Sequence, residues 1–367
     1  MNADTEPAVE AISKLIPAIL RALHAMEFAA RHLSPANLPQ LAEAVAGRGG
    51  DLNEALTVSQ TLIWPERLQP VRDCLERAAA IAGEGISALA AAGESPEPVF
   101  AAYRALRGYA RACESIYPMA AHMRSVSQFF LEAPARDDPA LSARLQAIDP
   151  ALVEVGVMHF GGEAGTRGGF SLYVPEHHDP RRAMPLVVAM HGGSGNGGAF
   201  LWSWLREART RELAVIAPTA IGSTWSLMEP DVDRTNIDQM LDYVAGRWKI
   251  DMSRLLLTGM SDGGTFSWVL GVRGDCRFTH LAPFAASFHP MLITFADAAR
   301  VRGLPVYLVH GAQDWMFPAE MARTARQALE QLGALVTYRE ITDLAHTYPR
   351  DENSALLDWF LGTNPLA

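Results

Sequence analysis

Residues 254–268 read Arg-Leu-Leu-Leu-Thr-Gly-Met-Ser-Asp-Gly-Gly-Thr-Phe-Ser-Trp. An apolar run of strand type enters at Leu255, and a stretch of helical character leaves after Gly264. Between them lies Gly259-Met260-Ser261-Asp262-Gly263, the pattern G-x-S-x-G, placed where a strand must turn sharply into a helix. Glycines two residues either side of Ser261 let the backbones approach without a Cβ clash. The Ser261 hydroxyl then projects at the helix amino terminus, where free N–H groups and the helix dipole favour the negative charge that develops in acyl transfer. Ser261 is the candidate nucleophile.

Working outward, short Val/Ile/Leu-rich runs alternate with helical stretches from about residue 152 onward. Strands are expected at 153–158, 170–174, 186–190, 214–217, 255–258, 281–285, 306–309 and 336–341, with helices such as 235–248 and 319–332 between them. Continuous apolar strands separated by helices imply an α/β class with a mostly parallel, eight-stranded sheet covered on both faces.

A serine hydroxyl needs a base, and the base needs a carboxylate to orient it. The run 306–310 opens into Gly311-Ala312-Gln313-Asp314-Trp315, which puts Asp314 in a loop at the carboxyl end of a strand, where catalytic groups collect in open α/β sheets. The last strand runs into Thr342-Asp343-Leu344-Ala345-His346, and no other histidine lies beyond Asp314. The order Ser261, Asp314, His346 is nucleophile, acid, base. Asp343 is the rival carboxylate, and its closeness in sequence to His346 suits a surface turn better. His289 and His310 read as wall or structural residues, and His177-His178 as a polar loop.

The stretch Met190-His191-Gly192-Gly193-Ser194-Gly195-Asn196-Gly197-Gly198 follows another strand. Read literally it holds G-x-G-x-x-G, but the strand after it ends in Pro218-Thr219 rather than in the acidic residue that a dinucleotide ribose requires. An oxyanion loop fits better, with Gly193 and the residue after the nucleophile, Asp262, as the N–H donors.

Together HGGSGN, GMSDGG, HGAQD and LAHTYP give the segment from about 152 to 362 a resemblance to the α/β-hydrolases, nearest the phospholipase/carboxylesterase and polyhydroxybutyrate-depolymerase-like esterases. The resemblance implies an α/β-hydrolase fold, Ser261 as nucleophile, Asp314 as acid, His346 as base, and Gly193 with Asp262 as oxyanion donors. It implies a carboxylic ester as substrate, no cofactor and no metal. A peptidase or acyltransferase would use the same constellation, and a non-catalytic binding protein the same fold. Trp225, Trp315, Phe288 and Met316 are candidates for the walls around the ester. None of the four motifs contains Lys or Arg, which favours a neutral acyl ester over an anionic one.

The first 150 residues have a different grammar: alanine-rich, with apolar residues at helical spacing. Ile12, Leu15, Ile16, Ile19, Leu23 and Met26 fall on one stripe of a long first helix, with an irregularity expected at Pro17. Ser34-Pro35 reads as a helix start, Gly49-Gly50 as a stop, and Asp51 with Glu54 as a new start. Further helices are expected at about 66–92, 97–116 and 118–132, and residues 132–140 are the candidate join. This all-helical domain, 1–150, is open to three roles: a cap or lid over the catalytic domain of 151–367, a surface through which copies associate, or a cover for the sheet.

Composition narrows the function further. A net charge of −10, spread evenly over both halves, gives no basic footprint for nucleic acid or anionic lipid. Three widely spaced cysteines build neither a disulfide framework nor a CxxC metal site, and with an acidic amino-terminal stretch they suggest a cytoplasmic protein without an export signal. The long uncharged windows 183–205 and 278–296 are broken by glycines or by prolines and histidines, so neither is expected to span a membrane.

Overall fold

The computed structural model describes residues 6–148 and 154–363. The chain divides into two compact units, the first ending at Arg136 and the second beginning at Asp137. The expected boundary between residues 150 and 151 falls outside the described residues.

The first unit is helical: α1 (Glu6–His32), α2 (Leu38–Thr61), α3 (Gln69–Ala90), α4 (Pro98–Leu106), α5 (Gly108–Ile116) and α6 (Arg124–Phe129). Leu15, Ile19, Leu23 and Met26 of the α1 stripe are fully buried, and α1 packs on α2 and α3. Pro17 sits on the exposed face of α1, where the carbonyl that it leaves without a donor can face water, and the helix continues through it. Gly49-Gly50 does not stop a helix; α2 runs unbroken across it. Each glycine costs a helix about 1 kcal/mol, but Leu41, Val45 and Leu52 bury one stripe of α2, at about 1.5–3 kcal/mol each. Gly49 lies on that stripe, and a Cβ there would come within 3.3 Å of Ile86 on α3, so a small residue belongs at this contact. Ser34 caps a turn rather than the helix: its Oγ accepts from the Asn37 N–H, and α2 begins one residue later.

The second unit opens with α7 (Pro139–Gln146), capped by the Asp138 carboxylate. Its sheet is built from β1 (Gly156–Phe160), β2 (Phe170–Val174), β3 (Met184–Met190), β4 (Ala214–Pro218), β5 (Ile250–Met260), β6 (His280–Phe284), β7 (Pro305–Gly311) and β8 (Leu335–Ile341). The spatial order is β1-β2-β4-β3-β5-β6-β7-β8, antiparallel at β1/β2 and β2/β4 and parallel throughout the rest. Every expected strand has its counterpart, except that residue 153 lies outside the described residues. Leu186, Val187, Val188, Ala189 and Met190 are all fully buried, which requires cover on both faces of the sheet. Helices α8 (Gly197–Phe200), α9 (Leu205–Arg211), α10 (Asp231–Arg247), α11 (Asp262–Gly271), α12 (Met291–Thr294), α13 (Ala298–Val301), α14 (Ala319–Gln331) and α15 (Asn353–Leu361) occupy the connections or follow the last strand. This is the α/β-hydrolase architecture.

The strand order reverses at β3. The chain leaves β3 toward β4 on one side and returns to β5 on the other, so the loops after β3 and β5 flank a topological switch point. Both glycine motifs lie there.

Candidate active site

Ser261 sits between β5 and α11 with φ 54° and ψ −118°, a conformation that a non-glycine residue adopts only under strain. The surroundings hold it there. The Ser261 N–H donates to the Phe284 carbonyl at the end of β6 (2.9 Å), and its own carbonyl accepts the Thr265 N–H (2.8 Å). The turn has no room for side chains: a Cβ on Gly263 would lie 2.4 Å from the Met190 carbonyl oxygen, and one on Gly259 2.5 Å from the Gly263 backbone.

His346 and Asp314 arrive from adjacent strands. Past the ends of the parallel pair β7/β8, the Gln313 N–H donates to the Leu344 carbonyl (2.9 Å), tying the two loops together. His346 Nε2 is then 3.0 Å from Ser261 Oγ, and His346 Nδ1 is 2.8 Å from Asp314 Oδ2. A carboxylate facing Nδ1 keeps the proton on that nitrogen and leaves the Nε2 lone pair toward the serine hydroxyl. All three residues are buried, with Ser261 at 8% exposure. Asp314 Oδ1 accepts the N–H groups of Met316 (2.9 Å) and Phe317 (2.8 Å). Burial would raise the Asp314 pKa, but the hydrogen bond and charge of His346 outweigh it, and the carboxyl lies below its ordinary range. Asp343, the rival carboxylate, is exposed.

Gly193 and Asp262 meet across the switch point. A Cβ on Gly193 would lie 2.7 Å from Asp262 Oδ2, and one on Gly192 3.5 Å from the Ser261 Cβ. Asp262 opens α11, where N–H groups of the first turn have no intrahelical acceptor. The Asp262 carboxylate accepts the Thr224 hydroxyl (2.6 Å).

Two of the four expected wall residues are core residues instead. Trp225 is 3% exposed, stacks on Phe266 of α11 (centroids 5.4 Å apart) and donates its indole N–H to the His191 carbonyl (2.7 Å). Phe288 is 7% exposed and packs edge-on against Trp268. Aromatic size and a loop position do not distinguish a wall from a core, and here packing takes both rings. Trp315 and Met316 do reach the surface, at 40% and 39% exposure, directly after Asp314.

The sequence reading missed how the glycine loop is held. Ala220 N–H donates to His191 Nε2 (3.2 Å), so the proton sits on Nδ1, which faces the Gly192 carbonyl at 2.6 Å. Burial lowers the His191 pKa to about 4, which keeps the ring neutral in this arrangement. Asp233 fixes the neighbouring loop by accepting from Ile221 and from Ser226. The partners lie 29 and 34 residues beyond His191, so only His191's own position beside Gly192 was a signal.

The glycine run that mimics a dinucleotide fingerprint leads into a helix of only four residues, α8, whose cap is the Asn196 carboxamide. His177, read as part of a polar loop, has a side chain only 1% exposed, 3.6 Å from Glu212, which also pairs with Arg144. Among the described residues no group of three or more His, Cys, Asp or Glu side chains is arranged to hold a metal ion. No helix among them is long and apolar enough to cross a membrane.

The comparisons with known proteins bear on this unit. Residues 206–360 match the dienelactone hydrolase family, a span that contains Ser261, Asp314 and His346 and begins after the Gly193 loop. No curated protein matches the sequence. Among solved structures, a thermostable esterase is 23% identical over 56% of this chain and 62% of its own, with a TM-score of 0.47. A fluorophosphonate-binding serine hydrolase of Staphylococcus aureus is 14% identical over 56% of this chain and 97% of its own, with a TM-score of 0.45. Esterase 2 of Thermogutta terrifontis is 15% identical over 57% of this chain and 94% of its own, with a TM-score of 0.47. By its strand order and its strand-to-helix turn at Ser261, the second unit of the chain has the α/β-hydrolase fold, and it is similar across residues 206–360 to the dienelactone hydrolase family.

Proposed function

We propose that the protein is a serine hydrolase that cleaves carboxylic esters through an acyl-enzyme. The observation that carries this reading is the hydrogen-bonded chain Ser261 Oγ, His346, Asp314, at 3.0 and 2.8 Å, on a strained strand-to-helix turn. In the first half-reaction His346 Nε2 takes the Ser261 proton as Oγ attacks the ester carbonyl carbon. The carbonyl oxygen becomes an oxyanion facing the N–H groups of Gly193 and Asp262. Collapse of this intermediate breaks the carbon–alkoxy bond, and the alcohol leaves with the proton from His346. Water then replaces Ser261 as nucleophile: His346 removes one of its protons, the acid is released, and Ser261 recovers its hydrogen. Asp314, already ionised, holds the ring by Nδ1 and stabilises the imidazolium in both halves.

The substrate class is read from the loops that follow the strands, beside which the exposed Arg167 of the β1–β2 loop acts electrostatically on His191. No Lys or Arg occurs in the stretches 191–200, 219–230, 285–299, 312–322 or 342–349, all of which follow the carboxyl ends of strands. Exposed Trp315 and Met316 offer apolar contact beside the acid. A neutral ester with an apolar acyl or alkoxy group suits these surroundings better than an anionic one.

The test is hydrolysis of p-nitrophenyl esters from acetate to long acyl chains. Ser261→Ala should lower kcat/KM by at least ~10³-fold and Asp314→Asn by about 10²–10⁴-fold. A wild-type protein inert toward the whole series, or a Ser261→Ala variant as active as wild type, refutes the reading.

A further inference from the structure

Phe317 is held at three points, and each leads back to the base. Its N–H donates to Asp314 Oδ1 (2.8 Å), its carbonyl accepts from His310 Nε2 (2.8 Å), and its ring stands perpendicular to the His346 ring with centroids 5.2 Å apart. His310, the second-last residue of β7, is fully buried. Because Nε2 faces a carbonyl, that nitrogen carries the proton. The same Nε2 lies 3.5 Å from Asp314 Oδ2, the oxygen that accepts from His346 Nδ1. His310 Nδ1, by contrast, is buried with no hydrogen-bond partner among the described residues. A buried polar atom without a partner costs stability, which an apolar side chain of similar size would avoid. The Nε2–H is the part of this residue that returns something for that cost.

We propose that His310 is a positioning residue for the base: its Nε2–H fixes the 314–317 turn, so that the Asp314 carboxylate meets His346 Nδ1 and the Phe317 ring stands against the imidazole. The proposal rests on the reading of Ser261, His346 and Asp314 as the catalytic set. It adds a second histidine that never touches substrate and acts only through Asp314 and Phe317.

The experiment compares His310→Leu, His310→Gln and Phe317→Leu in the full-length protein, alone and combined with Asp314→Asn. His310→Leu should lower kcat ~10–100-fold with KM within about twofold, because the base is misplaced while substrate contacts survive. His310→Gln, which keeps an N–H at similar reach, should recover most of the loss. In the Asp314→Asn background His310→Leu should cost less than ~3-fold, since the carboxylate that it positions is gone. Phe317→Leu should lower kcat about 10-fold, and this variant decides the matter if His310→Leu does not fold. A readout independent of turnover is the downfield proton signal of His346 Nδ1–H, which should shift or vanish in His310→Leu and return in His310→Gln. Equal factors for His310→Leu in both backgrounds, wild-type kcat in a folded Phe317→Leu, or an unmoved downfield proton would overturn the proposal. An inert wild type with a His310-dependent downfield proton would count against the esterase reading and leave the positioning role standing.

Discussion

At the scale of single residues, chain order and strand ends picked out Ser261, Asp314 and His346, three side chains that the fold brings within hydrogen-bond distance of one another. Their supports were not picked out, because each support is a contact between residues far apart in sequence. Trp225 illustrates both sides: its sequence position beyond β4 pointed to the substrate, whereas its N–H holds the His191 carbonyl and its ring stacks on α11. Trp225→Phe keeps the stacking and removes that donor. It should destabilise the protein by about 1–3 kcal/mol, read by urea unfolding, and lower kcat more than it raises KM, because the Gly192-Gly193 turn loses a tether. Thr224, through its bond to Asp262, and His191, through its bond to Gly192, belong to the same frame.

Among the elements, the strands of the second unit were readable because burial on both faces writes continuous apolar runs, and β3 is the clearest case. Helix ends in the first unit were harder. Gly49-Gly50 carries every local mark of a stop, yet the buried stripe of Leu41, Val45 and Leu52 keeps α2 intact. That outcome depends on α3, on which the local sequence of α2 is silent. The strand-to-helix turn at Ser261 shows the opposite case, in which local sequence and packing agree. Gly263→Ala would push a methyl group to 2.4 Å from the Met190 carbonyl oxygen, with backbone on both sides of the clash. The expected result is a loss of more than about 2 kcal/mol in unfolding free energy, together with loss of ester hydrolysis, as the turn opens to relieve the contact.

For the whole molecule, charge balance and composition set the class but not the response to pH, which follows from buried histidines. Burial lowers the pKa of both His177 and His191 from 6.5 to about 4. The unfolded chain therefore binds protons at these sites more readily than the folded one below pH 6.5. Their stabilising contribution is complete above that pH and is lost progressively as pH falls from 6.5 to 4, on the order of 2–3 kcal/mol for each. Urea midpoints at pH 7 and pH 4.5 should differ accordingly, and His191→Gln and His177→Gln should each flatten the difference. The division of the chain at Arg136 and Asp137 falls within the stretch 132–140, where prolines and charges interrupt the helical pattern. The most direct measurement of the central claim is the intact mass of the full-length protein after treatment with a fluorophosphonate, followed by peptide mapping. One adduct per chain, located on Ser261 and absent from Ser261→Ala and from heat-unfolded protein, is the predicted result. A wild-type protein that takes up no label, or that is labelled at any serine other than Ser261, would contradict it.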